Sequence, residues 1–369
     1  MRVLILSWRD IKHPYGGGAE LLSHEMAKRW VAKGNEVVHF SSSFPGAKSS
    51  EEIDGVRYLR EGNWYNVHIL GAINAMLGKF KGFDVVVDEV HGIPFFTKFY
   101  IHRPIVCLAC EVARDIWDQM YPFPLSRIGR FLEKLYFHTY KNIPFLTISP
   151  SAKEELVQSG IPSRSITVLP MGFSYTLPRG TPPKEKIPTV IFLGRLVKTK
   201  GIEDAIRAFA QIKGELPKAK MWIVGKGEGG YTNKLKDMVK SLKLENNVEF
   251  KGFVSETEKF RLLARAHIIL VPSAHEGWGL IVPEANIVGT PAIVYNVHGL
   301  RDVTKDGVNG IVVKKNNADS LAKESIKMLR DRKRYEQIVL SAKKYASAMN
   351  WDNTATVGMK VLKKAVGKK

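Results

Sequence analysis

Apolar runs short enough for single strands recur along the chain, each running into a loop and then into a stretch whose apolar residues fall three or four apart. That alternation predicts parallel strands buried on both faces and joined by helices. In the first half it predicts a strand over 2–7, a helix through Leu21, Leu22, Met26, Trp30 and Val31, and strands over 36–40 and 56–58. A helix over 67–79 and strands over 84–87, 104–111 and 143–150 follow, with Ser151 and Glu154 as a capping-box start to the next helix. Residues 173–188 hold four prolines, several charges and no periodicity, the composition of a linker. Beyond it, strands are predicted over 189–194, 221–224, 248–252 and 266–271, and helices over 280–288 and 318–329. A break near Tyr345 to Asp352 precedes an amphipathic stretch ending at Val366. The expected organisation is a unit of residues 1–172, the 173–188 linker, a second unit of 189–348 and a closing helical segment of 349–369.

Composition narrows the class without naming it. A chain of 369 residues with 44% hydrophobic content exceeds one typical domain. The opening apolar run is about five residues, below the roughly 7–15 of a secretory signal core, and no run approaches the roughly 20 that span a bilayer. The expected setting is cytoplasmic. Cys107 and Cys110 form an isolated Cys-x-x-Cys with no second pair for zinc and no disulfide framework. The net charge is +20, and most of the excess lies C-terminal, with roughly 21 basic against 17 acidic groups before residue 181. Such a surface suits an anionic substrate or anionic lipid. Nucleic acid is excluded as the expected partner, because no recognised nucleic-acid module is present and the basic residues are scattered.

The candidate chemistry centres on Ser273-Ala-His-Glu-Gly-Trp-Gly-Leu-Ile-Val-Pro-Glu284. Gly277 and Gly279 keep the turn after a buried strand free of bulk, and the helix pattern from Leu280 would turn its first amides toward a phosphate. Glu276 and Glu284 flank that seat, and they suit the hydroxyls of a sugar and a ribose better than they suit an anion. Arg195 and Lys200 share the loop after the 189–194 strand, where two cations suit a diphosphate leaving group. Gly16 to Gly18 lie between the first strand and helix, where glycines admit a ligand or serve a tight crossover of positive φ. His91 falls at the carboxyl end of a strand, where ligands of open sheets gather.

Gly194-Arg-Leu-Val-Lys-Thr-Lys-Gly201, Val224-Gly-Lys-Gly227, the glutamate pair, Gly289-Thr-Pro291 and Asp306-Gly-Val-Asn-Gly310 occur in the order and spacing of a known family. The chain resembles the retaining nucleotide-sugar glycosyltransferases of family 4. The resemblance implies the α/β GT-B fold: two Rossmann-like, doubly wound parallel-sheet domains facing a cleft, with a C-terminal helix crossing back to the first. It further implies Gly17 and Gly18 near the donor diphosphate and the acceptor, Gly225 in a nucleoside-lining loop, and Gly252, Phe253 and Val254 holding the base through backbone contacts. Arg195, Lys200 and the amides near Gly279 and Leu280 would neutralise the departing nucleotide with no metal and no cofactor, Gly277 and Trp278 would be among the donor-binding residues, and the donor would be a UDP- or GDP-sugar. Where family members commonly carry a sugar-positioning histidine, this chain has Cys110; either the role is mainly a backbone one, or His91 compensates, or this member is weakly active or has an unusual donor.

The expectation is transfer of a sugar from a nucleotide donor to the hydroxyl of a glycan, a lipid-linked molecule or a small molecule, by a hexosyltransferase. A glycosidase also uses paired carboxylates but has no need of Arg195 and Lys200. The same residues also suit a nucleotide-sugar-binding protein of weak activity or a nucleotide-sugar epimerase on the same fold. Residues 64–83 and 121–140 mix aromatic, apolar and basic side chains, so they suit either core helices or contact with a lipid-linked acceptor or an anionic membrane.

Overall fold

The computed structural model describes residues 1–113, 117, 122–173, 177, 180–227 and 229–367. Tyr121, part of the 112–117 stretch and part of the 173–188 segment lie outside these. The chain divides into two compact units, one of Met1–Gly172 with Asn350–Lys369 and one of Phe173–Met349.

The first unit is built on an eight-stranded sheet. Its strands are β1 (Arg2–Leu6), β2 (Glu36–Ser41), β3 (Ser50–Ile53), β4 (Val56–Arg60), β5 (Val85–Glu89), β6 (Ile105–Leu108), β7 (Phe145–Thr147) and β8 (Ile166–Val168). They run in the order β3-β4-β2-β1-β5-β6-β7-β8, and all pairs are parallel except the edge pair of β3 with β4. The order reverses between β1 and β5, which makes the carboxyl ends of those strands the place where a doubly wound sheet opens a crevice. The final helix, Trp351–Val366, packs on the first, Gly18–Ala32. Trp30 is buried at that seam and its indole N–H donates to the Ala355 carbonyl at 2.8 Å. Gly358 leaves room for it, since a Cβ there would lie 3.1 Å from the indole.

The second unit holds β9 (Thr189–Leu193), β10 (Lys220–Val224), β11 (Val248–Gly252), β12 (Ile268–Val271), β13 (Ala292–Val294) and β14 (Gly310–Val312), in the order β11-β10-β9-β12-β13-β14. All of its pairs are parallel. Successive residues of each strand serve opposite faces. Val190 and Phe192 join the core under the Ile202–Glu215 and Ala318–Arg330 helices, while Ile191 joins Phe260, Ala285 and Ala346 on the other side. Burial on both faces is why the inner strands β9, β10 and β12 read as unbroken apolar runs. The order reverses between β9 and β12, so the loops after Leu193 and Val271 flank the switch point.

Three local expectations are corrected. The helix after β7 begins at Pro150, capped by Ser149, whose hydroxyl accepts from the Ala152 amide at 3.0 Å. Ser151 lies inside it, because the fixed φ of Pro150 suits the first helical position. The helix over 67–79 stops at Met76, with Gly78 at φ +76° just beyond. The turn of Gly16 to Gly18 uses no positive φ among those residues, so a left-handed crossover does not explain them.

Candidate functional site

In the second unit, a cavity of about 1030 Å³ opens at the carboxyl ends of β9 and β10, a size that suits a nucleotide. Arg195, Gly225, Phe253 and Val254 line it, joined by Lys226, Ser255, Glu256 and Lys259. The backbone makes the floor. The Gly194 amide donates to Val224 O at 3.0 Å, the Leu196 amide to Lys226 O at 3.0 Å and the Gly225 amide to Gly252 O at 2.8 Å. Gly225 is required there: it has φ +144°, and a Cβ would fall 1.8 Å from the Gly194 carbonyl oxygen. Phe253 is 83% exposed, an apolar face offered at the rim.

Lys200 and Glu276, which with Arg195 are the catalytic candidates of the sequence, meet directly, with Nζ 2.5 Å from Oε2. Both are partly buried. The pairing follows from the switch point, because the loop after β9 and the loop after β12 are tied by the Ala274 amide donating to Thr199 O at 2.9 Å. The turn that carries Glu276 and Gly277 is backed by Gly299. A side chain there would strike the Glu276 carbonyl oxygen at 2.2 Å. Gly279 turns the chain at φ +81°, and Leu280 caps a helix, Ile281–Ile287, of only seven residues. Its Val282 and Glu284 amides are taken by Gly279 O and Leu280 O. Among the described residues no backbone acceptor takes the Gly279 or Leu280 amide. The amides before the helix, more than a long helix dipole, are what this turn offers an anion. Trp278 packs against the core beside it, and its indole N–H has no partner among the described residues.

Glu284 is held by Lys259, with Nζ 3.0 Å from Oε1, and Lys259 also reaches Glu256 at 2.6 Å. Burial pushes the Glu284 carboxyl above the usual carboxylate range, and Lys259 opposes the shift. Lys259 was not among the sequence candidates. It connects Glu284 to the cavity it lines, and its only trace in the sequence is a Glu-x-x-Lys spacing that any exposed helix can show.

The remaining candidates belong to the first unit. Gly17 precedes the Gly18–Ala32 helix, and its amide donates to Glu20 Oε2 at 2.6 Å. Glu20 in turn binds Arg9 at 2.8 Å. His91 follows β5, and burial lowers its pKa below the ordinary imidazole value. Cys110 is buried after β6, and burial, with Glu89, Glu111 and Glu20 near, pushes its thiol well above the ordinary value. Gly17 lies in the loop after β1, His91 after β5 and Cys110 after β6, so all three stand at the carboxyl ends of neighbouring strands around the β1/β5 switch point. Sequence reading missed Glu89 there. It is 2% exposed, accepts from the Ser23 hydroxyl, and burial pushes its carboxyl up to about 8.

Two family models match the chain, "Glycosyltransferase Family 4" over residues 16–176 and "Glycosyl transferases group 1" over residues 176–345. An uncharacterized glycosyltransferase of Methanocaldococcus jannaschii is 34% identical over 248 residues, covering 63% of this chain and 62% of that protein. A poly(glycerol-phosphate) alpha-glucosyltransferase of Bacillus subtilis is 32% identical over 47% of this chain and 26% of its own length. The matched stretches thus span less than two thirds of either relative. Among solved structures, sucrose-phosphate synthase from Thermosynechococcus elongatus aligns with a TM-score of 0.78 at 17% identity, over 100% of both chains. An Anabaena protein in complex with UDP and glucose aligns with a TM-score of 0.71 at 18% identity, over 99% of this chain and 100% of that one. The two family models run through residues 16–345 in succession, and the chain belongs to the family-4 glycosyltransferases of GT-B fold.

Proposed function

We propose that the protein transfers a hexose from a nucleoside-diphosphate sugar to an acceptor hydroxyl, with retention of anomeric configuration and without a metal ion. The observation that carries this reading is the second unit's cavity, with Arg195 on its wall and the Lys200–Glu276 pair on the adjoining loops. The nucleoside enters between Gly225 and Phe253 to Val254, and a uridine or guanosine donor is the expected class. The structural relative in complex with UDP and glucose supports that choice. Lys200 exchanges Glu276 for the diphosphate, which frees the carboxylate to accept hydrogen bonds from the sugar. Arg195, Lys200 and the amides of Gly279 and Leu280 then carry the charge that develops on the leaving nucleotide. Glu284 accepts from the ribose, while Gly17 and Gly18 serve the acceptor side. The acceptor is a glycan, a lipid-linked or a small hydroxyl compound, and the enzyme acts in the cytoplasm in peripheral contact with anionic lipid.

Thermal shift against UDP-, GDP- and ADP-sugars, in chelator, tests the donor. Saturation at about 100 times Kd stabilises the fold by roughly 2.7 kcal/mol. No shift with any of the three would end the reading. Glu284→Gln is expected to weaken donor binding about tenfold to a hundredfold, while Glu276→Gln chiefly lowers kcat, on the order of a hundredfold.

A second reading, a nucleotide-sugar-binding protein of weak activity, is favoured by the buried, neutral Cys110 at the place of the family's histidine. Turnover of Cys110→His separates the two. A large gain would indicate an impaired site, and no change a positional role for residue 110.

A further inference from the structure

The Leu125–Tyr140 helix of the first unit has more apolar surface than it buries. Its inner arc is Ser126, Gly129, Glu133, Tyr136, Phe137 and Tyr140, all buried. Leu125, Ile128, Phe131, Leu132 and Leu135 form a second apolar arc, about 120° wide at 3.6 residues per turn, and each is between 49% and 66% exposed. Between the two runs a third arc of Arg127, Arg130, Lys134 and His138, all exposed. The one acidic residue of the helix, Glu133, is turned inward, where it accepts from the Ala113 amide at 2.8 Å. The outward part of the helix therefore carries apolar and basic side chains and no negative charge.

The neighbouring turn lengthens the apolar arc. Phe96 lies edge-on to Tyr136, with ring centroids 6.3 Å apart, and the Lys98 ammonium donates to the Thr139 carbonyl. Phe99 on that turn is 63% exposed, and Phe123 before the helix is 78% exposed. A bulky apolar stripe beside a cationic one, on a helix packed by its third side, fits the boundary between acyl chains and anionic headgroups. No helix among the described residues is long and apolar enough to cross a membrane, so the fit is to the surface of a bilayer.

We infer that the Leu125–Tyr140 helix and the adjoining Phe96–Phe99 turn dock the first unit on an anionic lipid bilayer, with the Leu125 to Leu135 stripe sunk among the acyl chains and the Arg127 to His138 stripe on the headgroups. This deepens the membrane contact within the proposed function and does not require that a sugar be transferred. A second copy of the chain would present the same cationic stripe to itself, whereas anionic headgroups complement it.

Co-sedimentation with vesicles of phosphatidylglycerol and phosphatidylcholine in roughly equal parts tests it at low and high salt. The wild-type chain is expected to pellet with these vesicles and to bind pure phosphatidylcholine far less. The double variant F131S and L135S is expected to lose binding on the order of a hundredfold. Arg127→Glu and Lys134→Glu are each expected to lose about fivefold or more, and only on anionic vesicles. The donor-induced thermal shift should be the same in all variants, which shows that they are folded and keeps the outcome separate from that of the donor site. Vesicle binding with no donor shift would sink the donor reading alone. Wild-type protein left in the supernatant at low salt, or a double variant that pellets like wild type, overturns the docking surface. So does a double variant whose sole change is conversion of a dimer to a monomer, which would mark a self-association face.

Discussion

Glu89 is an acid that the fold keeps from water, and its proton therefore reports on the whole first unit. Its carboxyl is pushed from an ordinary value of 4.5 up to about 8, chiefly by burial. The folded state then holds a proton that the unfolded state has released between those values, so stability is full below about pH 4.5 and declines as pH rises to about 8. Glu89→Gln is expected to flatten that decline, raising Tm at about pH 8 by several degrees and leaving it nearly unchanged at about pH 5. Melts across that range check it, and equal gains at both pH values would contradict it. A second residue-scale prediction contrasts two glycines. Gly299 and Gly307 have φ +75° and +74°, but only at Gly299 would a Cβ meet the Glu276 carbonyl oxygen, while at Gly307 it meets nothing within 4 Å. Gly307→Ala should cost only backbone strain, roughly 1 kcal/mol. Gly299→Ala should in addition displace Glu276 and lower kcat about tenfold or more, read by steady-state kinetics beside denaturant unfolding. Gly299 was not legible as a site residue, because its role lies in a contact with Glu276 that forms only once the β12 loop folds back. Lys259 was hidden for the same reason, since it looks like a surface ion pair with Glu256 until its helix meets the one bearing Glu284.

Among the elements, strands buried on both faces were the most legible. β1, β9, β10 and β12 coincide with unbroken apolar runs, since neither face needs polar residues. β13 and β14 are three residues each, too short for any period to show, and in the sequence they leave only the motifs at 289–291 and 306–310. The structure gives those motifs a framework task. Asn309 donates to Asn286 Oδ1 at 2.8 Å, Asn286 donates to the Asn309 carbonyl at 2.9 Å, and both side chains are buried. Buried amides of this kind are stabilising only when satisfied. Asn309→Leu is expected to destabilise the protein by about 1–3 kcal/mol and to leave the donor affinity of the folded fraction unchanged, measured by urea unfolding and calorimetry. The closing helix offers a packing counterpart. Trp351 is 2% exposed, and Trp351→Ala is expected to cost about 3–5 kcal/mol. A cost below about 1 kcal/mol would show that the Trp351–Val366 helix is not part of the first unit's core.

At the scale of the molecule, the chain leaves the first unit after Gly172 and re-enters it at Asn350. These two points touch: a Cβ on Gly172 would fall 2.4 Å from the Trp351 nitrogen and 2.6 Å from the Asn350 carbonyl carbon. The second unit is thus a guest whose entry and exit share one doorway in its host. Residues 1–172 joined to 350–369 by a short glycine bridge are expected to fold with a cooperative thermal transition, because the graft asks no backbone to cross open space. Absence of such a transition would show that the host needs its guest to fold. If the transition is there, the Phe173–Met349 unit can be exchanged between relatives as a cassette through a single seam, with the Leu125–Tyr140 helix of the host left where it is.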